Sequence, residues 1–300
     1  MPDHAPDHDH RESLPARPLV IALLLTLSFS GVEAFTGWWA GSLALMGDAG
    51  HMLSDSFALG LAALAAVAAR RPASATHSYG YGRLEVVAAI SNAVIMLAIV
   101  AGIVYAAVGR LRAPPDVHAG GVILVASIGL VINVVVAWVL SRGIASMNVR
   151  GALLHVLGDL LGSIAALASG VVIALTGWTL IDPLLSLFIS LLLLVAAARL
   201  LRDAVSVVMD AVPAHVDLPA VRDALLTIEG VREVHDLHIW TIASGRVAVS
   251  AHVLLDDITV WNERLAQIQA LLAERWDITH ATLQPEAGGD CPQGPDQPLR

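Results

Sequence analysis

The chain has 300 residues, 56% of them hydrophobic and 14% charged, with a formal net charge of −9 and a mean hydropathy of +0.72. A soluble domain carries about a quarter charged residues, so an ordinary soluble enzyme, a disordered chain and a disulfide scaffold are excluded, and the acidic balance offers nucleic acid no basic face. This is the composition of an integral membrane protein; its single cysteine, Cys291, permits no internal disulfide and leaves the redox compartment undefined.

Residues 1–17 hold four acids, two arginines and His4, His8 and His10 without apolar periodicity. That pattern predicts a disordered His/Asp tail, and it lacks the charged and cleavage regions of a secretory leader. Six apolar segments follow, at about 18–39, 42–69, 84–109, 118–141, 151–176 and 180–201. Each reaches or exceeds the ~20 residues that cross a bilayer, which predicts a six-helix transmembrane domain over 18–205. With the N-terminus in the cytoplasm, nine arginines of this region and its flanks fall inside and only Arg110 and Arg112 outside. That bias places both termini in the cytoplasm. Helices in place of barrel strands point to a bacterial inner (cell) membrane.

After Pro213 the apolar blocks stop. Residues 213–286 hold eleven acids against five arginines. Leu218 to Ile228 reads as a helix with Asp217 as its cap and Gly230 at its stop. HDLHIWTI and RVAVSAHVLL alternate like half-buried strands joined by a hairpin at Ser244-Gly245. A second helix over Val260 to Trp276 and a short strand, ITHATLQ, complete an αββαβ domain of the α+β class. The Gly-, Pro- and Gln-rich residues 287–300 predict a second disordered tail.

Ionisable side chains inside the apolar segments are the informative feature, because each costs at least ~2.5–3.5 kcal/mol at the bilayer centre without a partner or a purpose. Segment 2 contains GDAGHMLSD and segment 5 contains LLHVLGD. Each carries a His followed four positions later by an Asp: His51 with Asp55, and His155 with Asp159. On a helix, i and i+4 share a face. Two such helices facing one another offer two imidazoles and two carboxylates, a set suited to tetrahedral Zn²⁺. The competing reading of a single pair is a His–Asp hydrogen bond that ties helices together. No HExxH, nucleophile elbow or phosphate-cradling loop accompanies the pairs, so the site is expected to hold an ion and not to be an enzyme's.

DAGHMLSD, the YGYGRLE stretch after it, HVLGD and HDLHIW together resemble the cation diffusion facilitators, particularly their zinc-transporting branch, over residues 18–286. The resemblance implies six helices, a metallochaperone-like αββαβ domain, and a homodimer that exchanges cytoplasmic Zn²⁺ for protons across the lipid bilayer. His51, Asp55, His155 and Asp159 match the transport-site positions, and His51 in place of an Asp argues for zinc over cadmium. Metal binding requires deprotonated ligands, and imidazole titrates near pH ~6.5 in water, so the same atoms can trade protons for an ion. The alternatives are the same exchange with cadmium, cobalt, nickel, iron or manganese, and a zinc sensor that does not transport.

The resemblance also singles out secondary positions. In the loop between segments 2 and 3 only His77 matches an extra zinc site of some relatives; Ser74 and Tyr81 stand where two further ligands would be. In the soluble domain His235 and His252 match zinc-binding positions of related proteins, with Glu286 as a further ligand and zinc as a regulatory ion. His238 and Trp240 share strand parity, and the alignment of His280 shifts with the anchor chosen. Arg83 and Glu85 are read as surface ion-pairing groups. Asp48, one turn before His51, is expected to accept its hydrogen bond. Glu33 and Asn133 are buried polar candidates for packing or a water path, and Asp182 suits the dipole at the start of helix 6.

Overall fold

The structure, a computed structural model, describes residues 16–69, 71–141, 147–243 and 245–287, with side chains described for 26–65, 67–69, 71–138, 157–243 and 245–287. The apolar segments form six long helices: α1 (Ala16–Ala40), α2 (Leu43–Ala69), α3 (Leu84–Arg112), α4 (Ala119–Ser141), α5 (Met147–Thr176) and α6 (Ile181–Val208). At 1.5 Å per residue, even the 23 residues of α4 extend about 35 Å, longer than the ~30 Å hydrocarbon core. Over their described residues, α2 to α6 are each long and apolar enough to cross a membrane.

The chain divides into two compact units. The first holds α1, α2 to Gly60, α3 from Asn92, α4, α5 and α6 to Ala198. Its polarity is inverted relative to a soluble domain. Phe35, Trp38, Tyr105, Leu124, Val131 and Phe188 are exposed, whereas Glu33, Asp48, Asn133, Asp159, Ser163 and Asp182 are buried. Apolar side chains turned outward suit a lipid solvent, and polar ones turned inward find partners there. Asp182 shows how. From the start of α6 its carboxylate accepts the Ser42 hydroxyl (2.6 Å), the backbone N–H groups of Leu43 (2.7 Å) and Ala44 (3.4 Å), and the Ser169 hydroxyl (3.2 Å). Arg110 stands 3.6 Å away. The dipole that Asp182 serves is thus that of α2 as well as its own helix. A buried carboxylate here satisfies the otherwise orphaned first turn of α2.

The second unit takes in the remainder of α2, α3 and α6 with the loop between α2 and α3, and the soluble domain. The soluble domain runs α7 (Leu218–Leu226), β1 (Val231–Ala243), β2 (Arg246–Leu255), α8 (Trp261–Trp276) and β3 (His280–Ala287). The sheet order is β1-β2-β3, with β1 antiparallel and β3 parallel to β2. The parallel return of β3 requires a crossover, which α8 supplies. Val221 and Leu225 of α7 and Ile268 and Leu272 of α8 bury against Val234, Ile239, Val249 and Val253 of the sheet. The opposite face, which includes Ser250, His252 and Leu254, is only partly covered.

Several boundaries differ from expectation for local reasons. Asp217 occupies the cap position of α7 in extended geometry but makes no side-chain cap. Pro219, the second residue of the helix, lacks one of the two N–H groups that a capping oxygen uses. A short 3₁₀ turn, Ile258–Val260, precedes α8, and Asp257 caps it by accepting from the Thr259 backbone N–H at 2.9 Å and hydroxyl at 2.7 Å. These two bonds hold the exposed Asp257 carboxyl below its ordinary range. β1 begins four residues before HDLHIWTI, and β3 begins at His280, not Ile278. Gly245 takes the positive φ a tight hairpin needs, +69°; Ser244 lies outside the described residues.

Candidate metal centres

The i, i+4 spacing on α2 places His51 and Asp55 on one face, with His51 Nδ1 3.2 Å from Asp55 Oδ2. From α5, Asp159 Oδ1 comes within 3.3 Å of His51 Nε2. One donor atom from each of these three residues lies within 4.8 Å of the other two. Ligand atoms around a tetrahedral Zn²⁺ with bonds of about 2.0–2.1 Å stand about 3.3 Å apart; a single ion takes only one nitrogen of the His51 ring, so one of these two contacts matches that edge and the other lies at the far side of the ring. The same geometry serves a proton shared between imidazole and carboxylate. His155 belongs to α5 one turn before Asp159, and its side chain lies outside the described residues.

Neighbouring polar groups anchor the two helices. Ser54, between the two α2 donors, donates to Asn92 Oδ1 of α3 (3.0 Å). Asp48 Oδ2 accepts a 3.0 Å hydrogen bond from Ser163 of α5. Ser163 in turn accepts from Asn133 Nδ2 of α4 (3.1 Å). Gly162 makes this approach possible, because a Cβ there would collide with the Asp48 carboxylate. Ser163 and Asn92 were not anticipated from the sequence, where a lone Ser or Asn in an apolar helix carries no spacing signal.

The soluble domain builds a second group from all three strands. His235 and His252 are direct cross-strand partners of β1 and β2, and Leu254, two residues on from His252, is in register with Glu286 of β3. Glu286 reaches both rings: Oε1 is 2.7 Å from His252 Nδ1 and Oε2 is 3.2 Å from His235 Nε2. Glu286 lies within β3, beyond the ITHATLQ stretch read as the strand from sequence. These three also offer donor atoms within 4.8 Å of one another. Between His235 and His238 the ladder shifts register, and Asp236 adopts φ +51°. An extra residue bends a strand and re-aims its side chains. Asp236 is brought 3.9 Å from His252 Nε2 and 2.9 Å from His238 Nε2. The Asp236 contribution was also missed; Asp tolerates positive φ, but nothing else marks the bulge.

The remaining candidates go elsewhere. His77 stacks on Tyr81 with ring centroids 4.6 Å apart, and its Nδ1 is 3.0 Å from the Thr76 hydroxyl. Among the described residues it joins no cluster of three metal donors. Arg83 pairs with Asp210 at 2.6 Å, and the His280 ring meets the edge of Tyr79 at 6.1 Å. His4, His8, His10 and Cys291 lie outside the described residues.

Membrane-length helices that turn carboxylates and imidazole inward define an integral membrane protein of cation-handling character. The family model for the cation efflux transmembrane domain matches residues 19–209, and that for the cation efflux protein cytoplasmic domain matches 213–287. The chain is 40% identical to the zinc transporter ZitB of Escherichia coli, over 96% of this chain and 95% of that protein. It is 40% identical to the metal cation efflux system protein CzcD of Cupriavidus metallidurans, over 92% and 88%. The cadmium, cobalt and zinc/H(+)-K(+) antiporter of Bacillus subtilis is 36% identical over 93% and 91%. A solved structure of the metal-bound C-terminal domain of the CzcD transporter is 40% identical, covers 24% of this chain and 99% of that one, and has a TM-score of 0.23. The chain belongs to the cation efflux family, the cation diffusion facilitators.

Proposed function

We propose that this chain exports Zn²⁺ from the cytoplasm in exchange for protons, and that His51, Asp55, His155 and Asp159 hold the ion between α2 and α5. The observation that carries the reading is the His51 ring, flanked at 3.2 and 3.3 Å by carboxylates from its own helix and from α5. Imidazole and carboxylate bind either a proton or a metal ion, and not both at one lone pair. An inward-facing site that takes Zn²⁺ therefore releases protons, and an outward-facing site that regains protons releases Zn²⁺. Relatives matched over most of their length and bearing the names zinc transporter and cadmium, cobalt and zinc/H(+)-K(+) antiporter support it.

Within this reading the transmembrane domain spans 18–205 and the cytoplasmic domain 213–286, with both termini in the cytoplasm of a bacterial cell whose inner membrane holds the protein. Two chains associate through their cytoplasmic domains. His235, His252 and Glu286 bind a regulatory Zn²⁺ there, and binding tightens the dimer when cytoplasmic zinc rises.

The test is Zn²⁺ uptake by proteoliposomes under imposed pH gradients. Uptake is expected to rise as the lumen is made more acidic than the medium. Flux indifferent to the gradient would defeat the proton coupling, and binding without flux for zinc, cadmium and cobalt would favour a sensor.

A further inference from the structure

Inside the first unit, one carboxylate outside the donor set has no hydrogen-bond partner among the described residues. Glu33 of α1 has no solvent exposure, and neither of its oxygens has a hydrogen-bond partner among the described residues. It is pressed against α4, where a Cβ on Gly129 would lie 2.9 Å from Glu33 Oε1 and 2.9 Å from the Phe29 ring. Glycine at 129 leaves the room that the carboxyl group occupies. A buried carboxylate must pair with a cation, accept hydrogen bonds or carry a proton. Among the described residues Glu33 has neither of the first two.

The surroundings reinforce this. Residues 119–138 of α4 contribute no titratable group. Asp48 of α2 and Asp159 of α5 act electrostatically on Glu33, and both are acidic. His51 and Asp55 complete the titratable groups of α2 in this unit; Arg110 stands at Asp182 instead. Neither Glu33 nor Asp48 forms an ion pair with arginine among the described residues. Glu33, Asp48, Asp55 and Asp159 are four carboxylates, and a divalent ion offsets only two charges. Protons must offset others, and more of them once the ion has left.

We propose that Glu33 is a proton-binding site separate from the metal ligands, which takes up a proton as Zn²⁺ leaves and gives it back as Zn²⁺ binds. The idea rests on the exchange reading above and adds a second place where the counter-ion is held. Only one O–H bond forms or breaks in each half-cycle. The proton released by Zn²⁺ binding leaves for solvent, and the proton regained when Zn²⁺ departs comes from it. Asp48, unlike Glu33, has a hydrogen-bond partner, Ser163, which in turn accepts from Asn133.

The experiment counts protons released on Zn²⁺ binding to the purified full chain, by calorimetry in two buffers of different ionisation enthalpy. Glu33→Gln is expected to bind Zn²⁺ but release about one proton fewer than wild type. An unchanged count overturns the proposal. In proteoliposomes, a wild type that shows no gradient-driven flux would instead defeat the exchange reading. Should Glu33→Gln not assemble, infrared difference spectra of wild type and Glu33→Asp decide. A protonated-carboxyl band that vanishes on Zn²⁺ addition and shifts position in Glu33→Asp supports the proposal; a band indifferent to that substitution, or none, overturns it.

Discussion

The two donor clusters use the same chemistry on different scaffolds. In the membrane, α2 supplies two donors from one helical face and α5 brings Asp159 to the other side of the same ring. In the soluble domain, three strands supply one donor each, and the cluster stands on the sheet's less covered face. A site assembled from separate helices changes whenever those helices shift, which suits an ion that must be picked up and let go. A site fixed by hydrogen-bonded strands keeps its geometry, which suits an ion that stays. The difference teaches that one donor chemistry can be carried by elements of unlike rigidity: separate helices in the membrane unit and hydrogen-bonded strands in the sheet.

The sharpest way to break this contrast is His51→Ala. His51 is flanked by both carboxylates, so its loss leaves acids without the ring between them. Since removing even an outer partner of a ligand costs about 10–100-fold, Zn²⁺ flux is expected to fall by more than about 100-fold. Flux near wild type would remove His51 from the transport site. His252→Ala should behave differently: equilibrium dialysis should show one bound Zn²⁺ fewer per chain, with gradient-driven uptake still measurable. Loss of all uptake would make the sheet site part of the pathway.

A smaller effect is expected at Asp182→Asn. The substitution keeps the shape but weakens charge-assisted bonds to the first turn of α2, where hydrogen bonds to charged groups contribute about 1.5–3 kcal/mol each. The thermal midpoint in detergent should fall, with zinc affinity changed less than by His51→Ala. An unchanged midpoint would show that the α2 cap does not depend on the charge. The smallest effect is at Asp257→Ala. Because hydrogen bonds from Thr259 depress the carboxyl of Asp257 in the folded chain, its contribution is present above the ordinary aspartate range and lost as pH falls through the depressed value. Amide exchange at Thr259 should therefore be faster in the variant at neutral pH, and the difference should close in acid. A difference that persisted there would point away from the carboxylate.

Legibility in the sequence followed the range of the interaction. Helix periodicity is local, so six apolar segments and the shared face of His51 and Asp55 could be read directly. β2 was also legible to the residue, because RVAVSAHVLL alternates without interruption. Asp182 was legible only as a helix-start carboxylate; its role at α2 depends on residues 138 to 140 positions away. The register shift at Asp236 escaped because strand parity assumes an unbroken period of two. Asp48 could be picked out as a polar residue in an apolar helix, but its partner, Ser163, becomes visible only when α2 and α5 pack. Membership of the family and the αββαβ order were legible from motifs that survive in short runs of sequence.

The most direct measurement is Zn²⁺ uptake into proteoliposomes with an acidic lumen, comparing wild type with Asp159→Ala. Asp159 is the described donor that α5 contributes, so the substitution dismantles the interhelical site while leaving the α2 pair in place. Exchange at this site predicts uptake that follows the gradient in wild type and vanishes in Asp159→Ala. Equal uptake by the two proteins would contradict it.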